Sequence, residues 1–306
     1  MEAGHAAKNI CLQVVALDLG TVVIGAFHDN EAKWIMTMTD RDRRCMAYQS
    51  EGNNIISRPT SGAICLPRGK KGAALYRLMR TLGGSFSAAL GIRLSSASPR
   101  DTSKWLLASI LFGARISEVV VIHTYREFEK TRVLSPKEIL KTGWYGLVEI
   151  LDRGGYVRYD FKTATKLLEV SSALLERYGG DLNNLHAEAS DQKDLEERIQ
   201  ALGKGIGDVT VNIFLREMRG IWQKSRPLPS ELVIRAARNI GIIPADLKER
   251  KKILGILKKK WADAGMKQRD FPDFEAALIR LGKDYCRKAA CGRCPLREDC
   301  TDGGQA

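Results

Sequence analysis

The stretch "QALGKGIGDVTVNIFLREM", residues 200 to 218, places three alternating glycines between two amphipathic segments. Gly203, Gly205 and Gly207 permit positive φ and a tight reversal, which leaves backbone N–H groups unpaired. These groups precede the helix predicted to begin near Asp208, and such helix N-termini bind phosphate. No strand precedes the glycines and no Gly-Lys-Ser/Thr follows them, so dinucleotide-binding and P-loop turns are excluded. The pattern predicts a phosphate-binding hairpin, with a plain helix–helix turn as the alternative.

The sequence around this hairpin has helical periodicity from about residue 70 onward, with short loops between the apolar stripes. One example is "SPKEILKTG", in which Ser135 and Pro136 suit an N-cap and the first helical position. Residues 1–68 instead carry strand-like patches and polar turns. We therefore predict a mainly α fold, preceded by a small β or irregular N-terminal extension of unknown role.

Composition narrows the class of partner. The 306 residues carry a formal net charge of +13, which favours a polyanionic partner, and nucleic acid first, over a merely soluble basic surface. No apolar run reaches the ~18 residues that a membrane span needs. The segment "MEAGHAAKN" lacks the features of a secretory signal, so we expect a cytoplasmic protein with reduced thiols and no membrane association.

Four cysteines lie close together near the C-terminus, in the spacing C-x4-C-x2-C-x5-C. Four thiolates in so short a segment can surround one metal centre, either an iron–sulfur cluster or structural zinc. Zinc sites usually use two facing CxxC pairs, whereas this segment contains one pair with a single cysteine on each side. The spacing favours a cluster, with zinc and free thiols as alternatives. The candidate ligands are Cys286, Cys291, Cys294 and Cys300.

Hairpin and cysteine segment together resemble the endonuclease III group of the helix-hairpin-helix (HhH-GPD) DNA glycosylases, over roughly residues 70 to 300. "LGKGIGDVTVNIFL" is similar to the family's "LPGVGxKTAxxxL" at Leu202, Gly205, Gly207, Thr210 and Leu215. "WLLASILFGAR" and "YDFKTATKLLEVSSALLERYGGDLNNL" resemble two earlier family helices. The cysteine spacing matches the last two family gaps, but the first gap is shortened from x6 to x4.

The resemblance implies a two-lobed helical fold with a six-helix barrel module and a lobe that carries a [4Fe-4S] cluster. It implies a helical domain at residues 69–284, with the hairpin at 202–207, and a cluster loop at 285–300. It also implies a nucleoid-associated monomer that binds damaged duplex DNA and flips the modified base into the cleft between the lobes. The DNA-contacting positions would be Gly203, Lys204, Gly205, Gly207, Thr210 and Arg115, the last where relatives often carry glutamine or glutamate.

Two departures from the family concern catalysis. Val209 stands where bifunctional members carry the lysine that forms a Schiff base, so lysine-dependent strand cleavage is not expected. Ser230 stands where the family has its catalytic aspartate. Glu231 is the nearest carboxylate, with Glu217 as a more distant candidate, although a first-turn glutamate is also favoured by the helix dipole alone.

Two functions follow from this pattern. The first is a DNA glycosylase of base excision repair that hydrolyses the N-glycosidic bond of a flipped base without lyase activity. The second is a binding protein for damaged or distorted DNA that lacks the chemistry.

Overall fold

The structure is a computed structural model, and it describes residues 70–301 of the chain. This part is mainly helical and contains no extended β-strand, so the predicted mainly α fold is confirmed for it. The extension predicted for residues 1–68 lies outside the described residues. None of the helices between residues 70 and 301 combines the length and the apolar character that crossing a bilayer requires.

The helices follow one another with short connections. In chain order they are α1 Lys70–Leu82, α2 Phe86–Ala89, α3 Pro99–Phe112, α4 Glu118–Lys130, α5 Pro136–Arg153, α6 Asp160–Tyr178, α7 Leu182–Glu188, α8 Gln192–Gln200, α9 Asp208–Met218, α10 Glu231–Asn239, α11 Arg250–Asp263 and α12 Phe271–Arg280. A π-helical segment, Leu281–Cys286, continues α12, and short 3-10 turns occur at Leu94–Ser96, Gln268–Asp270, Cys291–Arg293 and Arg297–Asp299.

Local signals explain where the longest helices begin and end. The Ser135 hydroxyl accepts from the Glu138 N–H while the Glu138 carboxylate accepts from the Ser135 N–H, which makes a capping box at the start of α5. Helix α6 ends at Gly179, whose left-handed conformation (φ 64°) provides the C-cap. Helix α5 is interrupted at Gly143, which has non-helical torsions (φ 68°, ψ 175°).

Helix α3 lies at the centre of the packing. Its side chains from Trp105 to Leu111 are buried, and the Trp105 indole N–H donates to the Phe214 carbonyl of α9 at 3.1 Å. Helices α5 and α6 pack along each other, while α1 packs against α12, which also contacts α10. Helix α1, from the start of the described range, therefore packs together with α10 and α12 from its end. Helix α9 contacts both α12 and α3 and so connects these helices to α3.

Candidate functional site

The glycine hairpin joins α8 to α9 and packs against one face of α6. Gly205 is in the left-handed region (φ 83°), where residues with a side chain are strained. At Gly203 a Cβ would lie 2.9 Å from a Val170 methyl and 3.4 Å from Glu169 Cβ, so this position needs glycine for close approach to α6. Gly207 is extended (φ −105°) and has open space where a Cβ would lie. Close contact with α6 therefore requires glycine at position 203, and the backbone torsion requires it at position 205. The fold sets no such requirement at Gly207.

The exposed edge of the hairpin combines backbone and basic groups. No side chain caps the first turn of α9, which follows Gly207 directly. The Lys204 N–H, however, donates to the Glu169 carboxylate at 2.9 Å, so this N–H is paired within the protein. Lys166 of α6 lies beside Gly205, and burial lowers the pKa of its amine. An anion at this edge would meet the free end of α9 and the side chains of Lys204 and Lys166.

Asp208 opposes this attraction in part. Its carboxylate lies in the first turn of α9 and accepts from the Gln200 side-chain amide at 2.7 Å. A carboxylate there is stabilised by the helix dipole and competes with an external anion for the same N-terminus.

Thr210 packs against Gly113 at the end of α3, and Arg115 follows two residues later in the chain. Thr210 is buried, with its hydroxyl against Gly113 at the end of α3, so its side chain has a packing role and is not available at the surface. Arg115 is exposed two residues beyond Gly113. Arg115 therefore follows the α3 terminus that contacts the first turn of α9.

One hydrogen bond joins α9, which carries Val209 in its first turn, to the segment that leads to Ser230. Val209 is 64% exposed on α9, and one turn later the Asn212 side-chain amide donates to the Leu228 carbonyl at 2.9 Å. Leu228 is two residues before Ser230, the residue that precedes α10. The Ser230 hydroxyl is buried and has no hydrogen-bond partner among the described residues, and it does not cap α10. The bond from Asn212 to Leu228 therefore links the first turns of α9 to the segment that precedes α10.

The two carboxylates considered for catalysis are placed very differently. Glu231 has a side chain that is 74% exposed and forms an ion pair with Arg250. Glu217 is buried and accepts from the Phe86 and Ser87 N–H groups at 2.8 Å each, so it caps the short helix α2. This structural role removes Glu217 from the candidates for catalysis.

The four cysteines lie in a loop that is fastened at both ends. Cys286 ends the π-helical segment, and after Cys300 the Thr301 N–H donates to the Asn239 carbonyl of α10 at 2.6 Å. Arg77 of α1 forms an ion pair with Glu298 at 2.7 Å. The loop is thereby attached to both α1 and α10.

All four thiols are free and partly buried, so no disulfide forms among them. Burial, followed by the neighbouring Cys294, Cys300 and Cys291 sulfurs, raises the pKa of the Cys286 thiol to about 11. The four sulfurs therefore lie within electrostatic range of one another. Within residues 70–301, no three His, Cys, Asp or Glu side chains are arranged as ligands of a metal ion.

A buried ionic network was missed by the sequence arguments. Arg219 of the α9–α10 segment contacts Glu275 of α12 at 2.9 and 3.2 Å, and both side chains are buried. Nearby, burial and the Glu217 and Asp270 charges raise the pKa of Asp273 to about 6. In the sequence, the only indication of this network is that two carboxylates occur within the mostly apolar run "FPDFEAALIRL".

Comparisons with known proteins give limited matches. No family model matches the chain. A 40-residue stretch, 13% of this chain, is 48% identical to a putative nitroreductase of Methanocaldococcus jannaschii, and it spans 20% of that protein's length. Among solved structures, a trapped endonuclease III–DNA covalent intermediate with an estranged adenine has 19% identity and a TM-score of 0.42, over 76% of this chain and 96% of that one.

Proposed function

We propose that this chain is a DNA-binding protein of base excision repair that hydrolyses the N-glycosidic bond of a flipped, modified base. The observation that carries the proposal is the hairpin between α8 and α9. It presents an uncapped helix start flanked by Lys204 and Lys166, on the helix whose Asn212 bonds the segment before Ser230. The net charge of +13 supports a polyanionic partner.

In the proposed mechanism the hairpin binds a backbone phosphate and thereby sets the register of the duplex. The damaged nucleotide leaves the base stack and enters the region between α9 and the start of α10. The Ser230 hydroxyl is buried and has no partner of its own in the described residues, so it contacts the sugar or the attacking water when the entering nucleotide opens this region. The Glu231 carboxylate, after release from Arg250, accepts a proton from that water as the water oxygen bonds C1′ and the C1′–N bond breaks. The departing base takes up a proton from solvent.

Val209 is the reason why we expect no lysine-dependent strand cleavage. Its isopropyl side chain has no amine, so no imine with the sugar can form at this position. The expected product is an abasic site in an uncut strand.

The cysteine loop is the proposed site of a [4Fe-4S] cluster. Four thiols on one fastened loop, within electrostatic range of one another, match the donor set that such a cluster requires. Cys286, Cys291, Cys294 and Cys300 would hold it, and the bound cluster would supply a rigid cross-link between chain segments that lie beside α1 and α10. No step of the base-release reaction uses it.

A second candidate function is damage binding without catalysis, and specific observations favour it. Glu231 is exposed and ion-paired, and the family's aspartate and lysine are replaced by Ser230 and Val209. In this case the same hairpin would bind distorted DNA, and base release would not occur.

A lesion screen separates the two functions. Oligonucleotides containing uracil, thymine glycol, 8-oxoguanine mismatches, hypoxanthine or alkylated bases are incubated with the protein and then cleaved at abasic sites with alkali. We expect an alkali-dependent product from at least one lesion and no strand cleavage before alkali. Glu231→Gln should lower the rate by at least about a hundredfold. The control Glu249→Gln removes another exposed, ion-paired carboxylate and should leave the rate unchanged. Binding to lesion DNA without any product would establish the second function.

The hairpin is tested by a matched pair of glycine substitutions. Gly207→Val is compatible with the extended backbone and the open space there, so stability should be kept while the new side chain blocks approach of a phosphate. Duplex affinity should fall at least tenfold. Gly255→Val, at an open position within α11, is the control for a bulky substitution away from the hairpin. Unchanged affinity of the Gly207 variant would remove the hairpin from the interface.

A further inference from the structure

An exposed aromatic cluster lies where α5 meets the first turn of α6. The Trp144 ring contacts Tyr145 edge-on, with centroids 5.1 Å apart, and contacts Phe161 at 5.2 Å with the planes tilted by 44°. Trp144 is partly buried against the core, whereas Tyr145 is 84% exposed and Phe161 58% exposed. Two large ring surfaces are thus open to solvent and supported by a third ring.

The backbone holds this cluster in a defined geometry. Gly143 interrupts α5 with a positive φ of 68°, a conformation that side-chain-bearing residues rarely adopt. The Trp144 indole N–H donates to the Thr165 hydroxyl of α6 at 3.1 Å, and that hydroxyl bonds the Phe161 carbonyl at 3.0 Å. The exposed rings are therefore preorganised, so a ligand that stacks on them has little side-chain entropy to overcome.

Helix α6 connects the cluster directly to the glycine hairpin. Phe161 and Thr165 are in its first two turns, and Glu169, one turn further on, accepts from the Lys204 N–H of the hairpin. Eight residues of helix separate Phe161 from Glu169, a rise of about 12 Å. At about 3.4 Å per nucleotide, a nucleic-acid strand bound at the hairpin would need only about three or four nucleotides to reach the rings.

The charges around the rings favour a polyanion. Lys141, Arg158 and Lys162 are exposed beside the three rings in sequence. The nearest carboxylate, Asp160, accepts from the Phe161 N–H at the start of α6. Burial and the neighbouring Asp160 raise the pKa of the Asp152 carboxyl.

We propose that Tyr145 and Phe161 form a stacking platform for unpaired bases of a DNA strand that continues from the hairpin-bound duplex. Every base has a π-face, so stacking on aromatic side chains binds single strands with little sequence preference, and flanking lysines contact the phosphates. The platform rests on the proposed DNA-binding function and extends it to substrates with a single-stranded segment, such as a frayed or gapped site. An apolar protein partner would gain nothing from three adjacent cations, so nucleic acid is the occupant that the surface fits.

The test uses the full chain and three DNA probes with the same duplex. The first probe is blunt. The second carries ten-nucleotide dT overhangs, placed at both 3′ ends or at both 5′ ends. The third carries abasic overhangs of the same length at the same ends, which keep the phosphates but lack bases. We expect the wild-type protein to prefer dT over abasic overhangs by about fivefold or more, which is the contribution of one stacked base. The preference should persist as salt is raised, while overall affinity falls.

Variants assign the preference to the rings. Tyr145→Ala combined with Phe161→Ala should abolish it, and Tyr145→Leu, which keeps an apolar side chain without a π-face, should lower it. Tyr76→Ala removes an exposed aromatic from α1 and should have no effect. Because Trp144 contacts both rings, dT overhangs should also quench its fluorescence, and the quenching should be absent from a Trp144→Phe variant.

The outcomes separate the platform from the proposed function. Blunt-duplex binding without preference for dT overhangs, or a preference retained in the double alanine variant, would overturn the platform and leave the proposed function standing. No binding to any probe would overturn the proposed function itself. Concentration-dependent dimerisation that the double variant abolishes and Tyr145→Leu retains would assign the surface to a second copy of the chain and overturn the platform.

Discussion

Asp273 makes the stability of this protein depend on pH in a direction opposite to that of most acidic residues. The residue is half-buried in the first turn of α12. Burial raises the pKa of its carboxyl, and the charges of Glu217 and Asp270 raise it further, to about 6. Arg280 and the Ser85 N–H act in the opposite sense but do not cancel these effects. The charged form of Asp273 is therefore less favourable in the folded protein than in the unfolded chain.

The size of the effect follows from the two pKa values. Because the folded-state pKa is raised, the contribution of this carboxyl is favourable below its ordinary value of 3.8 and is lost as the pH rises through about 6. A difference of this size corresponds to at most about 3 kcal/mol. Since the side chain is half-buried, solvent screening reduces it, and we expect Asp273→Asn to stabilise the protein by about 2 kcal/mol at pH 8. At pH 5 the gain should be about half as large, because the folded-state carboxyl is then protonated.

Urea denaturation followed by circular dichroism at pH 5, 6, 7 and 8, at constant ionic strength, measures both quantities. The free energy of unfolding of Asp273→Asn should diverge from the wild-type value as pH rises, with an unchanged dependence on urea concentration. Asp246→Asn removes an exposed carboxylate and is the control for net charge. A gain for Asp273→Asn that is equal at pH 5 and pH 8, or a loss of stability at pH 8, would refute the reasoning.

Three further substitutions test the packing around the cysteine loop and the buried ion pair. In urea denaturation, Gly282→Ala should destabilise the protein by about 1–3 kcal/mol, because the new Cβ would overlap the Leu232 backbone carbonyl. Gly292→Ala, at a position with open space, is the control and should cost little in the same assay. Glu275→Gln should cost about 3–5 kcal/mol, because it leaves the Arg219 guanidinium buried without its counter-charge. If Glu275→Gln unfolds at the wild-type urea concentration, Arg219 is neutralised by another group.

The helical part of the fold follows from local signals in the sequence. The capping box at Ser135 and Glu138 starts α5 where the apolar periodicity begins, and the glycines after residue 200 end one helix and precede the next. Such signals act through neighbouring backbone groups, so they can be interpreted without knowledge of the fold. The kink at Gly143 is not predicted in the same way, because a single glycine within a helical pattern is compatible with a straight helix.

Only part of the candidate site can be predicted from local patterns in the sequence. Three glycines look equivalent in the sequence, yet α6 imposes glycine on position 203 through close contact, and backbone torsion imposes it on Gly205. Glu217 is one of two carboxylates that the sequence offers for catalysis, but its partners are the N–H groups of Phe86 and Ser87. Contacts between residues so distant along the chain leave no periodic signal.

The sequence by itself determined that residues 70–301 are mainly helical, that a glycine reversal separates α8 from α9, and that four cysteines share one loop. Each of these depends on interactions within a few residues. Only the tertiary structure decided that Glu217 is structural, that Asn212 of α9 bonds the segment before α10, and that the rings of Tyr145 on α5 and Phe161 on α6 stand exposed. Burial and hydrogen bonding between separate helices assign these roles, because the free energy of a side chain depends on which groups surround it in the folded chain.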